Sequence, residues 1–190
     1  MEIYYAGRRI YRTKGEIIKS FFFTKIGGIC LFIILTALGA YIYIPLPFTP
    51  VPLTLQSFFV LLSGAVLGPW LGLLSQLGYL GLGMLGIPVF SGGRAGLLHL
   101  LGPSGGYLWG FLFASWGAGK LVYKKRRNTF FLFASFLLGT FIIYLFGLSQ
   151  LRLFIKQNLL SLFSKGVLPF ILPDFLKILL ATYAYRDLQK

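Results

Sequence analysis

Apolar residues run through this chain in long blocks with the polar positions gathered between them, a pattern that predicts membrane-length helices. Six blocks stand out, at 26–44, 53–68, 70–86, 105–123, 129–148 and 167–185. Crossing a hydrocarbon core about 30 Å thick takes roughly 20 helical residues. The second and third blocks are shorter and read as two spans joined by a tight turn at Gly68-Pro69. All nine prolines, at 45, 47, 50, 52, 69, 88, 103, 169 and 173, lie at or near block ends, where a missing N–H is best tolerated in lipid.

Between the fifth and sixth blocks, residues 149–165 mix Arg152, Lys156, Gln157 and Asn158 with Leu151, Phe154, Ile155, Leu159, Leu162 and Phe163. That spacing predicts an amphipathic helix lying at the membrane interface. The basic run Arg8, Arg9, Arg12, Lys14, Lys19 and Lys25 is too long for the front of a signal peptide. The apolar block also continues past the poor cleavage site Ala37-Leu38-Gly39 into Tyr41-Ile42-Tyr43-Ile44, so the first block reads as a retained span. The expected fold is an all-α integral membrane protein of six transmembrane helices with an interfacial helix between spans five and six. Its expected divisions are a basic cytoplasmic segment at 1–25, a membrane domain with an outward-facing pocket at 26–186, and a cytoplasmic tail at 187–190.

Composition strengthens this reading. Hydrophobic residues make up 57% of the 190 positions and charged residues 12%, about half the charged share of a soluble domain. Lys and Arg number 18 against the four acids Glu2, Glu16, Asp174 and Asp187, a net charge of +14. The bases flank the apolar blocks and form no face with interleaved stacking aromatics, so the charge does not point to nucleic acid. The N-terminal run, the cluster Lys120, Lys124, Lys125, Arg126 and Arg127, and the C-terminal Arg186 and Lys190 fall on one side of a six-span bundle. The positive-inside rule makes that side the cytoplasm, with both termini there and the protein multi-pass in the plasma membrane. Cys30 is the only cysteine, which excludes a disulfide within the chain or a cysteine metal cluster.

Four polar residues stand out on or near the opposite, outer side. Asp174 and Lys177 lie three apart at the start of the last block, a spacing that puts both on one helix face. An aspartate in a membrane helix costs several kcal/mol without a partner, which marks Asp174 as a functional candidate; the alternative is a packing ion pair or a snorkelling lysine. Arg94 lies in the glycine-rich stretch 86–96, and Gln56 opens the second span. Glycine there and in 101–107 permits backbone conformations that let amides approach a ligand or a loop cap a cavity. The pairs Gly64/Gly68, Gly68/Gly72 and Gly106/Gly110 have instead the small-xxx-small spacing of packed membrane helices.

Two literal motif matches carry no chemistry. Gly81-Leu82-Gly83-Met84-Leu85-Gly86 spells a dinucleotide fingerprint, but no strand precedes it and no acid follows at the required distance. Gly102-Pro103-Ser104-Gly105-Gly106 spells a nucleophile elbow, yet the only histidine, His99, is in the same loop and no histidine occurs in spans five and six to act as base for an intramembrane protease. With no Walker A lysine, carboxylate pair or metal cluster in view, the expectation is a binding protein with no catalytic residues, metal or cofactor.

The motifs Ile44-Pro45-Leu46-Pro47 and Pro50-Val51-Pro52-Leu53-Thr54-Leu55-Gln56 are followed in order by Gly64-Ala65-Val66-Leu67-Gly68-Pro69, Gly86-Ile87-Pro88-Val89-Phe90-Ser91-Gly92-Gly93 and Leu101-Gly102-Pro103-Ser104-Gly105-Gly106-Tyr107. With Leu168-Pro169-Phe170, Asp174 and Lys177, they make the chain resemble the BioY family, the biotin-binding S components of energy-coupling factor transporters, over residues 26 to 185. The resemblance implies six membrane helices and a pocket near the outer surface. It further implies delivery of biotin as transported ligand with a membrane scaffold subunit and two cytoplasmic ATPases, and no nucleic acid. Carried over by motif, the biotin-binding residues are Asp174, Lys177 and Arg94, with Gln56 and Tyr107 as weaker members, while Thr36 and Ala40 approximate the small-residue pattern that docks the first helix on the scaffold. An S component for thiamine or riboflavin, the protease just described and a free-standing channel are the alternatives.

Overall fold

The computed structural model describes residues 3–5, 8–10, 25–124, 128–156 and 158–189. Most of the basic segment 1–25, the bases Lys125, Arg126 and Arg127, and Gln157 and Lys190 lie outside the described residues. A short antiparallel pair, β1 (Ile3–Tyr5) and β2 (Arg8–Ile10), precedes the bundle. The first long helix, α1 (Lys25–Tyr41), contains no proline and ends just before the proline-rich stretch.

Residues 43–44 and 53–54 were expected to be helical and are not. Prolines at 45, 47, 50 and 52 break both adjoining helices, and the chain turns back so that β3 (Tyr43–Ile44) pairs antiparallel with β4 (Leu53–Thr54). Beyond this hairpin come α2 (Gln56–Leu67) and α3 (Pro69–Met84), joined at Gly68. Gly68 sits at φ +86°, a left-handed value that L side chains resist, and Pro69 supplies the first residue of α3, where its missing N–H costs nothing.

A five-residue helix, α4 (Leu97–Leu101), leads into the 20-residue α5 (Gly105–Lys124). The 26-residue α6 (Thr129–Phe154) opens on Asn128, whose side chain accepts from the Phe131 N–H at 3.1 Å. The amphipathic segment expected as one helix over 149–165 is therefore divided. Its first third extends α6, held by Gln150, whose amide donates to the carbonyls of Leu100 and Gly102 at 2.8 and 2.6 Å. Asn158 then caps a separate helix, α7 (Leu159–Gly166), accepting from the Ser161 N–H. A single 3-10 turn, Leu168–Phe170, precedes α8 (Ile171–Leu188), so residues 187 and 188 of the expected tail are helical.

The bundle packs around α5, which touches α2, α3, α4 and α6. A Cβ at Gly64 would strike the Ser115 backbone, and one at Gly72 would strike Gly64, so α2, α3 and α5 meet at backbone distance. A Cβ on Gly68 itself would meet nothing, but one on Gly119 of α5 would strike the Gly64 carbonyl oxygen and the Gly68 carbonyl carbon, so the Gly68 backbone both makes the turn and lies against α5. Below the crossing, Thr36, Ser63, Ser75, Gln76 and Ser115 are fully buried, and the Gln76 amide donates to Ser63 and Ser75 at 3.1 and 3.2 Å. Two apolar cores flank this layer, one around Tyr79, Phe90 and Phe111, the other around Phe32, Phe136 and Tyr185. Thr129–Phe154 and the run Leu159–Leu188 are long and apolar enough to cross a membrane; Lys25–Tyr41 and Gln56–Leu67 are apolar but shorter. Large apolar side chains such as Leu98, Ile26 and Phe130 stand more than three-quarters exposed, as a lipid-facing surface requires.

Candidate ligand-binding site

Four of the five candidate residues singled out in the sequence converge on one cavity at the hairpin end of the bundle. Asp174 and Lys177 from α8, Gln56 from the start of α2 and Tyr107 from α5 all line it. Arg94 does not: it stands exposed on the turn of the glycine loop. The cavity holds about 60 Å³ of free space, and Val51, Leu108, Phe111, Ile143 and Phe170 supply its apolar wall.

One helical turn places Asp174 and Lys177 in contact, with Nζ to Oδ1 at 2.7 Å and only 10% of either side chain exposed. Two residues that the sequence reading passed over complete the cluster. Ser57 donates to Asp174 Oδ1 at 3.2 Å and accepts from Lys177 Nζ at 3.2 Å, while Tyr144 donates to Asp174 Oδ2 at 2.6 Å. A carboxylate offers about four lone-pair sites and an ammonium three N–H donors. Among the described residues Asp174 uses three of those sites and Lys177 two of those donors. One acceptor site on Asp174 and one N–H of Lys177 are left over, which suits a guest that carries both an N–H and a carbonyl.

Gln56 connects this floor to the glycine loop. Its amide donates to the Tyr79 hydroxyl, which in turn donates to the Val89 carbonyl at 3.0 Å. The next residue, Phe90, is fully buried: its ring fills the space where a Cβ on Gly83 would lie, meets Tyr79 edge-on at 5.7 Å and stacks on His99 at 5.2 Å. Gly92 and Gly93, at φ +71° and +72°, then close a turn in which Phe90 N–H donates to the Arg94 carbonyl. The loop base is thus anchored and its tip is exposed. At the other side of the mouth, the Tyr41 hydroxyl donates to the Pro88 carbonyl at 2.5 Å, joining the end of α1 to the same loop. Tyr107 is held in place by its hydroxyl, which donates to the Gly166 carbonyl at 2.7 Å, and by Gly147, which leaves room for its ring.

His99 and Ser104 also line the cavity, but among the described residues no hydrogen bond joins them, and the base-nucleophile contact that proteolysis needs is missing. Burial, and secondarily the charge of Arg94, hold the His99 imidazole below its ordinary pKa, so it is neutral near pH 7. Thr36 and Ala40, expected to approximate a docking face on α1, are completely buried against the bundle and offer nothing to a partner subunit.

An apolar helical bundle that holds a small, mainly apolar cavity with a buried ion pair beneath two loops is the architecture of a solute-binding membrane protein. The chain belongs to the BioY family, whose sequence profile matches residues 14–190. A probable biotin transporter BioY from Pyrococcus horikoshii is 46% identical over 165 residues, covering 87% of this chain and 96% of the relative. The biotin transporter BioY of Thermotoga maritima is 39% identical over 160 residues, 84% of this chain and 92% of the relative. The crystal structure of the S-component for biotin from an ECF-type ABC transporter matches with a TM-score of 0.81 at 30% identity, covering 94% of this chain and 95% of that one.

Proposed function

We propose that this protein takes up biotin: it binds the vitamin from outside the cell and delivers it inward as the S component of an energy-coupling factor transporter. The observation that carries this reading is the buried Asp174–Lys177 pair facing the cavity with one acceptor and one donor direction unused. Biotin presents adjoining N–H and carbonyl groups in its ureido ring, an apolar bicyclic body and a terminal carboxylate. Asp174 would accept from a ureido N–H, Lys177 would donate to the neighbouring carbonyl, and the apolar wall would cover the ring edges. Gln56 and Tyr107 border the same space, and Arg94 at the rim would meet the carboxylate. Family membership and the named function of the relatives support biotin over thiamine or riboflavin, and transport over catalysis.

The six-span arrangement, both termini in the cytoplasm and a location in the plasma membrane belong to this proposal, as do the scaffold subunit and the two ATPases. They are supported by the placement of bases on one side and by the match to an ECF-type S-component. Ligand pockets usually enclose roughly 300 Å³ or more. The present cavity is far smaller, so admission of biotin requires the hairpin 45–52 and the glycine loop to move apart. A thermal-shift panel of biotin, thiamine and riboflavin on the purified protein tests the ligand: biotin alone should raise the melting temperature strongly. Stabilisation by thiamine or riboflavin without biotin would overturn the assignment.

A further inference from the structure

Outside the ligand cavity, one feature runs against the charge pattern of the rest of the chain. The last turn of α6 carries Arg152 and the stretch after it Lys156, on the side of the bundle opposite the basic clusters, and no acid occurs anywhere between Glu16 and Asp174 to balance them. Both are exposed, and Arg152 has no hydrogen-bonding or ionic partner among the described residues. The positive-inside rule disfavours bases on an outer face, and exposed bases at a membrane surface attract anionic lipid.

The surroundings say which kind. Arg152 forms the rim of a groove of about 500 Å³ between the end of α6 and α7, otherwise lined mainly by Leu148, Leu159, Leu160, Leu162 and Phe163. Leu159 and Leu160 stand two-thirds and three-quarters exposed. Depth follows from helix geometry. With the start of α6 at one edge of the hydrocarbon, Leu148 lies about 29 Å along the axis and Arg152 about 35 Å, against a core roughly 30 Å thick. The apolar floor of the groove is therefore at acyl-chain level and the guanidinium at phosphate level.

We infer that this groove is a binding site for one anionic phospholipid of the outer leaflet, an acyl chain lying between α6 and α7 and the phosphate held by Arg152, with the exposed Lys156, outside the groove lining, adding positive charge four residues further along the chain. The inference rests on the membrane-embedded reading, with this end of α6 at the outer surface. Each base near a membrane surface strengthens anionic lipid binding roughly fivefold, so two give a preference on the order of 30-fold.

Native mass spectrometry of the purified full-length protein in detergent, titrated with phosphatidylglycerol or phosphatidylcholine, tests it. The wild type should retain one phosphatidylglycerol in preference to phosphatidylcholine, and the double variant Arg152→Ala, Lys156→Ala should lose most of that preference. Inorganic phosphate at millimolar concentration should not displace the lipid. Equal retention of the two lipids by the wild type, an unchanged preference in the variant, or displacement by phosphate alone would overturn the site. Biotin affinity measured on the same samples keeps the two claims apart: intact biotin binding with no lipid preference removes the lipid site only, and lipid preference without biotin binding removes the transport reading only.

Discussion

Tyr144 donates its hydroxyl to Asp174 Oδ2 at 2.6 Å, joining the middle of α6 to the first turn of α8 across 30 residues of chain. On the other side of the same carboxylate, Ser57 and Lys177 occupy Oδ1. The acid is thereby held in one orientation inside an apolar bundle. A hydrogen bond to a charged group contributes about 1.5 to 3 kcal/mol. Tyr144→Phe keeps the ring and removes the bond, so biotin affinity should fall on the order of tenfold or more, with a smaller change in melting temperature. Calorimetric titration of the variant checks this; unchanged affinity would mean that Tyr144 only packs.

The ion pair itself separates stability from binding. Removing one partner of a buried pair leaves an uncompensated charge and costs about 3 to 5 kcal/mol, whereas replacing both is often neutral. Asp174→Asn and Lys177→Met should each lower the melting temperature of the purified protein, and the double variant should recover much of the loss. Biotin affinity should fall at least a hundredfold in all three. Recovery of binding in the double variant would show that the pair serves the fold alone.

Access to the cavity is expected to depend on the link between Tyr41 and Pro88. Opening the glycine loop must break that bond, so Tyr41→Phe should raise the association rate for biotin several-fold. Stopped-flow measurement of intrinsic fluorescence reports this rate. A slower or unchanged rate would place the moving element elsewhere.

Acidity should act through His99. Its pKa is depressed by burial first and by Arg94 second, so the unfolded chain, with an ordinary imidazole near 6.5, takes up the proton before the folded one. Facing it across the cavity, Asp174 and Lys177 form a pair of no net charge. Folded stability should therefore decline as pH falls below about 6.5 and level off beneath the depressed folded value. Melting curves between pH 7.5 and 5 should show the decline in the wild type and a flatter profile in His99→Gln.

Much of this architecture could be read from residue order. The apolar blocks marked the long helices, and the i,i+3 spacing of Asp174 and Lys177 announced their contact, because both signals are local. Tyr144 and Ser57 gave no such signal. Each is an unremarkable polar residue in an apolar helix, and its place beside Asp174 exists only once α2, α6 and α8 pack. Tyr144 is nonetheless the only tyrosine in the block 129–148, a hydroxyl in lipid that needed a partner. The hairpin at 43–54 and the continuation of α6 to Phe154 were missed for opposite reasons: prolines overrode an apolar run in one case, and in the other polar residues did not interrupt a helix whose Gln150 had carbonyls to bind. Arg94 drew notice as a charge in a glycine loop, but the positive-φ turn at Gly92-Gly93 leaves it exposed outside the cavity lining.

The central claim is that biotin is held by the buried carboxylate of Asp174. Isothermal titration of biotin into the purified wild type and Asp174→Asn, each shown to be folded by its melting curve, tests it most directly. The account predicts saturable one-to-one binding by the wild type and at least a hundredfold loss of affinity in the variant. Equal affinity in the two proteins would contradict it.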